Sequence, residues 1–186
     1  MRRLGATLLT GLLLAGARLA EAQGVAELFG KVASTVVVVR ANDAGADAQG
    51  RVSDIGSGVV VSRDGKIMTA AHLVRGAEGI GVQFLGGRTV GARVVASELA
   101  ADLSLIQLDQ VPAGLQPAKL ANSHGVRVGE QVIVVGAPYE LGHALSVGWI
   151  SARWAPSTVY KAIPLAEFFR VTSSRRAAAV RASASW

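Results

Sequence analysis

An all-β fold, barrel or sandwich, is predicted by three features of this 186-residue chain. Short β-branched runs recur along its middle, glycine-bearing turn signals separate them, and only one stretch has helical spacing. The runs, in order, are "STVVVVR" at 34–40, "GVVVS" at 58–62, "KIMT" at 66–69, "GIGVQF" at 79–84, "TVGARVVA" at 89–96, "LSLIQLD" at 103–109, "EQVIVVGAP" at 130–138 and "LSVGWISAR" at 145–153. Between the second and third, "SRDG" at 62–65 reads as a hairpin turn, with Gly65 available for a positive φ. The helical stretch is "VAELFGKVA" at 25–33, a short N-terminal helix. No internal repeat is visible, which neither supports nor excludes two similar barrels.

The two ends differ from this middle. Arg2 and Arg3 precede the apolar run "LGATLLTGLLLAGA", and "AEA" at 20–22 fits the small-residue rule for signal peptidase, so residues 1–22 are expected to be a signal peptide cleaved after Ala22. The apolar run ends at Arg18 and is shorter than the roughly 20 residues of a spanning helix, so no stable membrane anchor is expected after cleavage. The chain has no cysteine, so packing alone must stabilise it, as suits a periplasmic or secreted bacterial protein. The formal charge of +6 also belongs to the ends. Arg2, Arg3 and Arg18 against Glu21 give the leader a net +2; Arg170, Arg175, Arg176 and Arg181 give residues 170–186 a net +4. Residues 23–169 sum to zero, with no basic stripe to neutralise a phosphate backbone, which argues against nucleic acid as a partner.

Two residues carry candidate chemistry. "GSGVVVSRDGKIMTAAHLV" at 56–74 is a glycine-flanked hairpin whose second strand leads through two alanines to His72, the small side chains leaving space around the imidazole. Asp102 opens the alternating strand in "AADLSLIQLD", where a carboxylate could hold an imidazole in one tautomer and stabilise its protonated form. Taken singly, each has a plainer reading: a histidine at a strand end is often structural, and Asp is common at strand starts. His72, His124 and His143 share no metal-ligand spacing, and no cofactor is expected. Tyr139, Trp149 and Trp154 read as core or loop packing.

Four stretches in order resemble the trypsin-like serine proteases of the HtrA/Deg type: "GSGVVVSRDGKIMTAAHLVRGA", "ADLSLIQLD", "LANSHGVRVGEQVIVVGAPYELGHALSVGWISA" and "LAEFF". The resemblance covers roughly residues 25 to 169 and implies a double β-barrel, with the first barrel, about 34–110, complete and the second incomplete. It implies a serine endopeptidase domain over 23–169 with His72 as general base and Asp102 as its orienting partner. It also implies unfolded or extended polypeptides as substrates, and a homo-trimer as a possible assembly. The segment "RWAPSTVYKAIP" at 153–164 looks like the family's regulatory loop.

After "LAEFF" the family pattern continues with a "TDAAIN" type segment and then "GNSGGP", which carries the nucleophile and the oxyanion donors. This chain reads "RVTSSRRAAAVRASASW", with no glycine after Gly148 to line such a turn. Counted without gaps, the nucleophile position falls near Val180; Ser173 and Ser174, the nearest serines, have no glycine beside them. Residues 170–186 are therefore expected to be a disordered basic tail foreign to the family. A reading frame shifted after Phe169 is the leading explanation; a degenerate member or a truncation are the others. The functional alternative to an endopeptidase is a non-catalytic module that binds peptides by β-addition.

Overall fold

The computed structural model describes residues 24–43, 54–137, 143–154, 159–160, 163–164 and 168–172. The chain divides into two compact units, residues 1–32 and 33–186. Of the first, helix α1 (24–33) is described, and an i,i+4 pair supports it, with Lys31 Nζ donating to Glu27 Oε1 at 2.6 Å.

The second unit opens with six strands: β1 (Val36–Asp43), β2 (Asp54–Val60), β3 (Lys66–Thr69), β4 (Ala77–Gln83), β5 (Thr89–Glu98) and β6 (Leu103–Leu108). They close into a barrel in the order β1-β2-β3-β6-β5-β4, every neighbouring pair antiparallel. Closure leaves no edge, so interior positions can be apolar on every strand. Val37, Val39, Val60, Ile67, Val82 and Ile106 fill the interior and are fully buried. Each is worth about 1.5–3 kcal/mol of burial relative to exposure. Gly58 on β2 faces the same interior; a Cβ there would stand 2.7 Å from Ile67 Cγ2 and 2.8 Å from Val39 Cγ2. Barrel packing therefore requires glycine at 58, and Gly58→Ala is expected to cost about 1–3 kcal/mol by overpacking, measurable as a lowered denaturation midpoint.

The β2–β3 hairpin turns at 62–65 as the sequence predicts. Gly65 has φ +88°, Val61 N–H donates to Lys66 O at 2.9 Å, and Lys66 N–H donates to Ser62 Oγ at 3.1 Å. Asp64 accepts from Lys66 Nζ at 2.6 Å and from the Ser62 hydroxyl. Those two bonds, the lysine's first, hold its carboxyl below the ordinary aspartate value. Strand bounds differ from the sequence expectation mostly by extension: β2 begins four residues early, at Asp54, and β5 runs to Glu98 through a bulge between Val94 and Ala96.

Beyond Asp109 the chain runs irregularly, with a 3₁₀ turn at Ser123–Gly125, to a second sheet. It comprises β7 (Gln131–Gly136), β8 (Ala144–Trp154) and β11 (Phe168–Val171) in the order β11-β8-β7; β9 (Val159–Tyr160) and β10 (Ile163–Pro164) pair separately. Among the described residues this sheet does not close. The described residues thus form an all-β architecture, one closed six-stranded barrel followed by a three-stranded sheet and a two-stranded pair. β11 crosses the expected boundary at 169. Its register with β8 reaches Val171, and Thr172 N–H then donates to Trp149 O at 3.0 Å. Trp149 is 51% exposed, so the expectation that it is core packing is corrected: its face of β8 has no covering layer among the described residues. Trp154 is half-buried, and Tyr139 lies outside the described residues. No helix among the described residues is long and apolar enough to cross a membrane.

Candidate active site

The barrel brings residues 72 and 102 together through one strand pairing. β3 and β6 are in register up to Thr69 opposite Ser104. Past the strand ends the same register brings Ala71 opposite Asp102, and Ala71 N–H donates to Asp102 O at 3.1 Å. The chain then turns through α2 (Ala71–Val74), a single helical turn too short to stand alone. Burial holds it: Ala71, Leu73 and Val74 are packed away, and Leu73 fills the space over Gly56, where a Cβ would meet Leu73 Cδ2 at 2.7 Å. His72 is the residue of that turn left outside, its side chain 74% exposed. The sequence expectation about the two alanines is corrected here. Ala71 is 1% exposed and Ala70 packs on the core, so their small size serves the barrel end rather than space around the imidazole.

Asp102 stands in a turn whose N–H donates to Leu99 O at 3.1 Å, with φ +53°, the one positive φ among the described non-glycine residues. Aspartate enters this left-handed region more readily than most residues, at a cost of about 1–2 kcal/mol for a generic side chain. The turn aims its carboxylate at α2. Oδ1 accepts from the His72 backbone N–H at 2.9 Å, and His72 Nδ1 lies 2.9 Å from Oδ1 and 2.8 Å from Oδ2. An ionised carboxylate only accepts, so Nδ1 carries the ring proton and Nε2 of the neutral imidazole is left with its lone pair. The arrangement can take up a proton at Nε2 and stabilise the resulting imidazolium through Asp102.

The other polar candidates are not part of this pair. His124 lies exposed in the 3₁₀ turn, its carbonyl accepting from Arg153 Nη1 at 3.1 Å. His143 donates from Nε2 to Val36 O at 2.6 Å. Ser173, Ser174 and Val180 lie outside the described residues, as do the expected signal peptide and residues 173–186. Sequence reasoning missed two buried polar contacts on the strands that lead to the pair. Thr69, 5% exposed, donates from Oγ1 to Ser57 O at 2.9 Å, and buried Ser104 shares a 2.7 Å hydroxyl contact with Ser97. The available signal was polar residues at inward-alternating positions of β3 and β6.

A closed six-stranded antiparallel barrel carrying an exposed histidine braced by a carboxylate at one end, followed by a second β region, defines a trypsin-like class. Residues 56–179, well over half of the chain, match the trypsin-like peptidase domain family, and the chain belongs to it. Within that family its similarity is to the HtrA/DegP type. It is 37% identical over 108 residues to a probable DegP-like periplasmic serine endoprotease of Halomonas elongata, covering 57% of this chain and 22% of that protein. It is 36% identical over 109 residues to the periplasmic serine endoprotease DegP of Escherichia coli K12, covering 58% and 23%. The chain thus spans less than a quarter of the length of these relatives. Among solved structures, the HtrA-type protease AlgW with tripeptide superposes with a TM-score of 0.66 at 26% identity, covering 77% of this chain and 44% of that one.

Proposed function

We propose that this chain is part of an exported serine endopeptidase in which His72 is the general base and Asp102 its orienting partner. The observation that carries this reading is the carboxylate of Asp102 accepting both from the His72 backbone N–H at 2.9 Å and, at 2.8–2.9 Å, from its Nδ1. In the reaction, Nε2 takes the proton of a serine hydroxyl as its oxygen attacks the peptide carbonyl, then returns it to the amine that leaves. Substrates are unfolded or extended polypeptides, a reading supported by the endoprotease relatives and by the tripeptide in the AlgW structure. Periplasmic residence is supported by the same relatives. N-terminal sequencing of the exported product should start within a residue or two of Gln23; an intact Met1 form in the cytoplasm would exclude the leader. A trimer is the assembly the family suggests.

The reading extends to the tail. We infer that residues 170–186, which carry no glycine-lined turn, supply no activated serine, and that a reading frame shifted after Phe169 is the source of their divergence. Labelling with a fluorophosphonate, which reacts with an activated serine hydroxyl, tests this. We expect no labelling of this chain. Protein from the corrected frame, with the glycine-serine turn, should label, and His72→Ala should abolish that labelling. Stoichiometric labelling of the present chain, lost in His72→Ala, would overturn the reading and bring Ser173 or Ser174 forward. A second reading, a non-catalytic peptide-binding module, is favoured by the second sheet, where β7 and β11 stand as edges among the described residues, able to add a strand. If no frame of the DNA after codon 169 encodes a "GNSGG"-like turn, this second reading gains.

A further inference from the structure

The geometry points to Ser57 as a positioning residue, setting where the second β region stands relative to His72; this inference rests on the general-base reading above. Both members of the His–Asp pair come from the first barrel, and on the general-base reading the hydroxyl activated by His72 belongs to chain beyond it. The relative placement of the two regions is then part of the catalytic geometry, where a 1 Å error can cost about 100-fold in rate.

Ser57 sits at the join. Gly56 and Gly58 flank it on β2, and the Cβ positions of both are filled by first-barrel side chains, Leu73 over Gly56 and Ile67 with Val39 over Gly58. By strand alternation the Ser57 side chain leaves the opposite face of β2. There its Oγ accepts from Ala137 N–H at 2.9 Å, immediately after β7. Its carbonyl meanwhile accepts from Thr69 Oγ1, at the end of the strand that leads into α2 and His72. One residue thus bonds to the support of the base on one side and to the second sheet on the other. Ala137 is fully buried, so without the hydroxyl its N–H would lose this partner away from water. The chain is tied a second time where β8 begins, by His143 Nε2 donating to Val36 O at 2.6 Å. The β7–β8 connection is therefore gripped at both ends by the first barrel, and Ser57 makes the grip that also touches the His72 support.

The test compares this chain with Ser57→Ala and Ser57→Thr by amide exchange and by residual dipolar couplings. In Ser57→Ala, the Ala137 amide should exchange at least about tenfold faster, as loss of one buried hydrogen bond implies. Couplings of β7 amides should no longer fit the orientation they share with β3 in the parent. Ile67 and Ile106 amides should keep their protection, and Ser57→Thr should restore both readouts. An unchanged Ala137 rate, or couplings still fitting the parent orientation, would overturn the inference. So would accelerated exchange throughout the first barrel, which marks a residue needed only for stability. Failure of the underlying reading looks different: the His72 Nδ1 proton resonance would be unaffected by Asp102→Ala, whatever Ser57 does.

Discussion

The first barrel and the second sheet are written in the same β-branched vocabulary, yet they end in different environments. In the barrel, Val36 to Val39 are four consecutive buried valines, because one face of β1 meets the closed interior and the other is covered as well. On β8, Leu145, Val147 and Trp149 alternate with buried Gly148 and Ile150, and lie 36–51% exposed. The difference is closure rather than composition. Six paired strands give each inward side chain a partner across the barrel, whereas three strands bury one face and leave the other. The His–Asp pair is built entirely on the closed side, so its geometry does not depend on how the second sheet is completed beyond the described residues.

The largest expected effect sharpens this contrast directly. Ile106→Ala in the barrel should cost about 3–4 kcal/mol, the transfer term plus a cavity that closed walls cannot fill. Val147→Ala on the open face should change stability by no more than about 0.5 kcal/mol. Urea denaturation followed at the barrel's own signals measures both; comparable losses would mean that the β8 face is covered in solution.

The barrel was legible in the sequence because turn residues and β-branched runs are local signals. All six of its strands were expected, and so was the Gly65 turn. The open face was not legible, since an exposed Val147 and a buried Val39 look alike until the number of strands around them is known. β9, β10 and β11 were not expected; the first two are two-residue pairs held by partners, and "FFRV" is too short to carry a period. At the candidate site, His72 and Asp102 were singled out from motif resemblance. Their pairing was expected from the same resemblance, but the means were not legible: the β3–β6 register and a left-handed Asp102. Ser57 was hidden for a similar reason: its partner Ala137 is 80 positions away.

Asp102 offers a test on the closed side that separates stability from site geometry. Asp102→Ala removes the acceptor of the His72 N–H and puts a Cβ-only residue in the left-handed region, for an expected loss of about 1–2 kcal/mol. Asp102→Asn keeps an acceptor and tolerates the same φ, so it should cost less than about 0.5 kcal/mol while presenting Nδ1 with an amide instead of a carboxylate. Equal destabilisation by the two would show that neither the acceptor nor the φ tolerance kept by Asn carries the stability of this turn. On the open side, Trp149→Lys should leave the melting temperature within about 2 °C of the parent while lowering the light scattering of concentrated protein, because it removes an exposed apolar side chain. A parent that stays monodisperse at high concentration would mean that the face does not drive association.

The smallest effects should be the same in both regions. Each has one carboxylate beside a strand end held below its ordinary range: Asp64 by the Lys66 ammonium and then the Ser62 hydroxyl, Glu130 by the Arg127 guanidinium, whose Nε donates at 2.9 Å. A carboxylate with a lowered folded value contributes stability above its unfolded value, and that contribution is lost as the pH falls through the folded one. Asp64→Asn and Glu130→Gln should therefore each lower the melting temperature only slightly at pH 7. Both deficits should vanish as the pH drops below the ordinary carboxylate range, and shrink in high salt. Because water screens these pairs, barrel closure should not enlarge the Asp64 effect over that of Glu130. A deficit that grows on acidification would reverse the sign of the linkage, and one several times larger at Asp64 would mean that closure strengthens surface pairs as well as the core.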